Sequence, residues 1–139
     1  MIELDNTTTL EVQESFLNKI AQHLSDKDIE LLITSNSEIQ KINLTHRNID
    51  KSTDVLSFPY EAMPMSPLGS IVISADYVQK GAKEFAHEES DELALLFIHG
   101  LLHILGYDHE VDNGEMRAKE KELIEYFHLP SSLIIRTEG

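Results

Sequence analysis

Apolar and acidic residues alternate from Met1 to Asp5, the period of a half-buried strand. From Val12 the period lengthens. Val12, Phe16, Ile20 and Leu24 recur every four residues, which predicts an amphipathic helix with Thr9 ahead of it as a cap. Residues 28–34 read as a second strand. Ser37 and Glu38 open a second helix, with Ile39, Ile42 and Leu44 inward and an end near Asn48. Residues 53–59 form a short strand stopped by Pro59, and a proline-containing loop leads to a β-branched strand at 70–74. A third helix spans residues 76–85. A longer one starts near Ser90, with Asp91 and Glu92 in its first turn, and stops at Gly106. A last helix covers 114–127, followed by an extended segment at 133–136. The order β-α-β-α-β-β-α-α-α predicts an α+β fold: a four-stranded mixed sheet with packed helices, residues 1–139 making a single domain.

The apolar run Leu93 to Leu105 is interrupted only by His99, Gly100 and His103. It is shorter than the roughly 18 residues a membrane span needs, so it reads as a central helix buried almost all round. Histidines four apart on a helix are about 40° apart in azimuth and one turn apart in height, so both face one point. Gly106 ends the helix and lets the chain fold back, bringing His109 in as a third ligand. Three neutral imidazoles leave the fourth tetrahedral position to water, the arrangement of catalytic zinc. A lone histidine is best read as hydrogen-bonded or solvated; three at this spacing favour a metal. His23, His87 and His128 match no ligand spacing and read as surface residues.

Composition sharpens this reading. The 139 residues include no cysteine, so a metal site must use His, Asp or Glu, and thiol chemistry is excluded. The 41% hydrophobic and 26% charged fractions are those of a folded protein. Acids replace the basic n-region of a signal peptide at residues 1–6, and the expected location is cytoplasmic, with no membrane partner. Asp and Glu number 25 against 11 Lys and Arg, a net charge of −14 that repels a polyanion unless positive charge is locally gathered. Lys41, Arg47 and Lys51 are so gathered, as a positive lip near the histidines. Arg117, Lys119 and Lys121 are interleaved with Glu115, Glu120 and Glu122 and read as a solvated, ion-paired helix face.

The spacing H-x₃-H-x₂-G-x₂-H resembles the zinc element of metzincin proteases, a zincin-like arrangement with one difference. Gly100 stands where those proteases carry the glutamate that serves as general base. Peptide hydrolysis needs that base, so a protease is disfavoured.

The block His99-Gly100-x-Leu102-His103-x-x-Gly106-Tyr107-Asp108-His109 resembles the signature of the YbeY family of bacterial rRNA-processing endoribonucleases. A second block agrees: Asn43-Leu44-x-x-Arg47 followed by Thr53-Asp54-Val55-Leu56-Ser57-Phe58-Pro59. Met116 and Glu120 match a Met-x-x-x-Glu pattern in the last helix. One departure is Gly69-Ser70-Ile71, where the family usually has Gly-Asp-Ile.

The resemblance implies a zinc-dependent, single-strand-specific endoribonuclease in maturation of the 16S rRNA 3′ end and in late ribosome quality control. It implies His99, His103 and His109 as ligands of one zinc ion per chain, and Arg47 and His99 as catalytic residues. Single-stranded rRNA and the ribosome or small-subunit particle are the implied partners. Position alone makes Arg47 a solvated helix-end arginine; the family block makes it a phosphate-binding cation. Another divalent ion, such as nickel, also suits three imidazoles. Asp54 and Asp108 are candidate bases or acceptors for a ligand histidine, against a strand-start cap and a turn-forming Asx. His46 is a candidate cleft residue, against a solvated one. Two other functions compete: a metallohydrolase on a non-RNA substrate, weakened by Gly100, and a metal-stabilised, non-catalytic ribosome assembly factor.

Overall fold

A computed structural model describes residues 1–131 and 133. The elements follow the expected order: β1 (Ile2–Asn6), α1 (Glu14–Leu24), β2 (Ile29–Thr34), α2 (Asn36–Arg47), β3 (Val55–Pro59), β4 (Gly69–Ser74), α3 (Ala75–Glu84), α4 (Glu89–Ile104) and α5 (Glu115–Tyr126). The fold is α+β, with a four-stranded mixed sheet ordered β1-β2-β4-β3. β1, β2 and β4 run parallel. β3 returns antiparallel along β4 as an edge strand, with Ser57 opposite Ile71.

Side chains alternate across a strand, so the sheet has two distinct faces. Ile29, Leu31, Ile33, Ile71 and Ile73 join Leu17 and Ile20 of α1 and Leu93, Phe97 and Leu101 of α4 in the main core. On the other face Leu32, Leu56, Phe58 and Val72 are covered by Ile39 and Ile42 of α2. α4 is buried on every side, as its apolar run predicts; beyond its first turn only His99 and His103 are half-exposed. Gly100 is where this helix presses on the sheet. A Cβ there would lie 3.0 Å from Ile71 Cγ2, 3.1 Å from Val55 Cγ2 and 3.2 Å from Ser57 Oγ. Ser57 Oγ donates to the Gly100 carbonyl at 2.8 Å. Each fully buried Leu, Ile or Phe side chain adds about 1.5–3 kcal/mol relative to exposure, so the docking of α4 on β3 and β4 is strongly fixed.

Three local expectations change. The first helix starts after Gln13, not after Thr9. Asn6 Oδ1 accepts from the Thr8 amide and hydroxyl, Thr8 Oγ1 accepts from the Leu10 amide, and Leu10 is buried, so turns hold residues 6–10 out of the helix. The second helix is capped by Ser35, whose Oγ accepts from the Glu38 amide, rather than opening at Ser37. Leu44 is 44% exposed, because the buried stripe of α2 passes through Ile39 and Asn43. The extended segment expected at 133–136 lies outside the described residues except for Leu133, which is buried with Leu95 and Ile124. Among the described residues no helix is long and apolar enough to cross a membrane.

Candidate metal centre and cleft

His99 and His103 lie one turn apart on the single stripe of α4 that is not buried. Their Nε2 atoms are 3.2 Å apart. Two ligands at about 2.05 Å on a tetrahedral ion are separated by about 3.3 Å, so this pair already has the spacing of zinc ligands. The far nitrogen of each ring is also engaged. His103 Nδ1 lies 3.0 Å from the Tyr107 carbonyl oxygen, and His99 Nδ1 lies 3.3 Å from Glu120 Oε1. A carbonyl only accepts, and an ionised carboxylate only accepts, so each Nδ1 carries the proton and each Nε2 presents a lone pair. Two lone pairs facing each other at this distance repel unless a cation lies between them, and the donor set therefore fits a metal ion.

The turn after α4 supplies the third ring. The Gly106 amide donates to the His103 carbonyl and the Tyr107 amide to the Leu102 carbonyl, with Gly106 at φ +101°, a conformation that suits glycine. Asp108 Oδ1 accepts from the Glu110 amide at 3.0 Å, and its carbonyl accepts from Val111 and Asp112. This folds His109 back so that ligand nitrogens of His99, His103 and His109 lie within 4.8 Å of one another. His109 is exposed, while His99 and His103 are half-buried. Burial first, and then the repulsion that protons on both His103 and the neighbouring His99 ring would meet, hold the His103 pKa below the ordinary imidazole value, which favours a neutral ring able to ligate.

The three rings line a cleft of about 380 Å³. Arg47, at the last turn of α2, lines it too, as do Val55, Ser57 and Pro59 of edge strand β3. Asp54, Asp108 and Glu110 complete the wall, yet among the described residues none of them forms an ion pair with Arg47. The guanidinium is thus presented to the cleft without a carboxylate partner.

Other residues singled out in the sequence fall differently. Asp54 Oδ1 accepts from the Val55 amide at 2.8 Å, the bond of a strand-start cap, and Asp108 makes the Asx turn described above. Neither is the acceptor for a histidine Nδ1; Tyr107 and Glu120 are. Lys41 is exposed and paired with Glu38 at 3.2 Å, Lys51 is exposed, and neither lines the cleft. The basic lip at the cleft is therefore Arg47. His46 also stands off the cleft wall, exposed, beside the Phe58 ring. His23 and His128 are exposed, whereas His87 is half-buried. Ser70 lies within β4, level with Glu30 and Phe58 and away from the cleft.

Glu120 is the residue that sequence reasoning misplaced. It is 3% exposed, not part of a solvated charged face, because Met116, Glu120, Leu123 and Ile124 form the buried stripe of α5. The signal was present: an acid on an apolar helical stripe at spacing 116-120-123 needs a partner, and His99 is that partner.

Comparison with known proteins agrees in extent and kind. The family described as Endoribonuclease YbeY matches residues 2–128. A Sulfurimonas denitrificans protein named Endoribonuclease YbeY is 58% identical over 139 residues, covering 100% of each chain. A Nautilia profundicola protein of the same name is 62% identical over 138 residues, covering 99% of each. The solution structure of a Thermotoga maritima protein superimposes with a TM-score of 0.63 at 29% identity, covering 91% of this chain and 89% of that one.

Proposed function

This chain belongs to the YbeY endoribonuclease family, and from that membership we propose that it cuts single-stranded RNA, with rRNA 3′-end maturation and late ribosome quality control as its setting. His99, His103 and His109 would hold one divalent ion, and an all-imidazole donor set suits zinc. Bound there, such an ion supplies Lewis-acid polarisation and positive charge at a phosphoryl oxygen. The observation that carries the reading is the placement of Arg47, which forms no ion pair among the described residues, in the same cleft as the three imidazoles.

The remaining work falls to the chain's own groups. Phosphoryl transfer is catalysed mainly by positioning and charge neutralisation, and a guanidinium meets two phosphate oxygens at once. Tyr107 and Glu120 orient the rings of His103 and His99 by accepting their Nδ1 protons. A glutamate does not fit the protease position, because a side chain at residue 100 would crowd Ile71, Val55 and Ser57 where α4 presses on the sheet. Attack by the RNA's own 2′-OH on the adjacent phosphorus breaks the bond to the next nucleotide's 5′-oxygen, which leaves as a hydroxyl; it needs no such glutamate and gives a 2′,3′-cyclic phosphate end.

The test is cleavage of matched single-stranded and duplex RNA by the metal-loaded protein, with analysis of product ends. Selective cutting of the single strand with cyclic phosphate ends supports the proposal. Equal cutting of both, or cutting of neither, contradicts it.

A further inference from the structure

Beside the cleft lies an aromatic pair that the catalytic reading leaves unused. His46 precedes Arg47 on α2 and is exposed. Its ring centroid is 5.2 Å from that of Phe58, with the planes at 56°. Phe58 sits on β3 between Ser57 and Pro59, both of which line the cleft. Alternation along the strand sends Phe58 to the α2 face and its neighbours towards the histidines. β3 is the sheet's edge strand, so cleft and aromatic pair lie on the two sides of one open edge. Arg47 extends from the α2 side of that edge to the cleft.

Resting on the RNA-cleaving reading above, we propose that His46, backed by Phe58, is a stacking platform for an unpaired nucleobase next to the phosphate that Arg47 holds. The charge balance favours such a contact. The chain carries a net −14, and Lys41 and Lys51 do not reach the cleft, so phosphate contacts are few. Single strands that cannot be held by many phosphate contacts are held by stacking on aromatic rings, which accepts any base. A base inside a duplex presents no free face, so the same platform selects single strands. Other histidine–aromatic pairs among the described residues, such as His23 with Tyr126 (centroids 4.2 Å apart) and His87 with Phe85 (6.3 Å), include no residue of the cleft wall.

The experiment uses metal-loaded protein and a labelled single-stranded oligoribonucleotide, comparing the natural chain with His46→Ala, His46→Phe and His46→Lys. With metal content and melting temperature unchanged, KM for His46→Ala rises about 5- to 150-fold, the range for loss of one base–aromatic stack. His46→Phe keeps KM within about threefold of the natural chain, and His46→Lys does not, because a ring rather than a charge is required. An abasic residue beside the cleavage position weakens the natural chain by the same factor and adds nothing in His46→Ala. An unchanged KM in His46→Ala, rescue by Lys but not Phe, or equal abasic penalties in both proteins would overturn the platform while leaving RNA cleavage intact. No cleavage of any RNA by the metal-loaded natural chain overturns both readings together.

Discussion

His99 Nδ1 lies 3.3 Å from the Glu120 carboxylate, which α5 buries against α4. The contact ties the ring to one tautomer and couples the last helix to the metal centre. Removing such an outer partner costs about 10- to 100-fold in metal affinity. Glu120→Ala should therefore lose its divalent ion to a chelator at about 10- to 100-fold lower chelator concentration, while Glu120→Gln, which keeps an acceptor oxygen, loses less. Equal retention by all three proteins would show that Glu120 has no part in the site.

Gly100 provides a second test, of why the protease-like glutamate is absent. Its would-be Cβ meets Ile71, Val55 and Ser57 at 3.0–3.2 Å, and Ile71 is fully buried in the main core. Overpacking alone costs about 1–3 kcal/mol, and a buried carboxylate adds to it. Gly100→Glu is expected to lower unfolding free energy in urea by at least about 3 kcal/mol and to confer no peptidase activity. A stable Gly100→Glu protein would mean that the helix does not press on β3 as described.

Asn43 is expected to act through Arg47. Its side chain is buried, Nδ2 donates to the Lys51 carbonyl at 3.0 Å, and its own carbonyl accepts from Ile49. One residue thus clamps the loop that leaves Arg47, where Asn48 turns the chain at φ 59°. Asn43→Ala should cost about 0.5–1.5 kcal/mol of stability and lower kcat for RNA without altering metal content. In an Arg47→Ala background the same change should lower kcat little further, since the two residues share one effect. Fully additive losses would separate Asn43 from Arg47.

Acid sensitivity is expected at the start of α5. Backbone amides of Gly114 and then Met116 donate to the Asp112 carboxylate and hold its pKa below the ordinary carboxylate value. A depressed folded pKa stabilises the protein above the unfolded value of about 3.9, and that contribution is lost as pH falls through the folded pKa. Asp112→Ala should be less stable than the natural protein at pH 7, the difference disappearing under acid below that folded pKa. A difference that persists unchanged in strong acid would remove Asp112 from the cap.

Much of this was legible in the chain itself, for identifiable reasons. Periodicity and cap signals located the elements that bury one face, and the apolar run Leu93–Leu105, interrupted only by His99, Gly100 and His103, foretold a helix buried almost all round. The three histidines follow from helical spacing and a glycine turn, both local. What eluded local reading depends on distant partners. The roles of Glu120 and Asn43 require knowing what lies opposite α5 and past the end of α2. The delayed start of the first helix is the local exception, set by Asn6 and Thr8 capturing backbone amides two residues on. Lys41 and Lys51 are near Arg47 in sequence, but helix geometry and a clamped loop point only Arg47 into the cleft.

The central claim is that the three-histidine cleft is a metal-dependent RNA-cutting site. It is tested most directly by counting metal ions per chain and measuring single-stranded RNA cleavage on the same samples of the natural protein and His103→Ala. The expected result is one divalent ion per natural chain with cleavage, and neither metal nor cleavage in His103→Ala. Full metal occupancy without cleavage, or equal cleavage by metal-free His103→Ala, would contradict the claim.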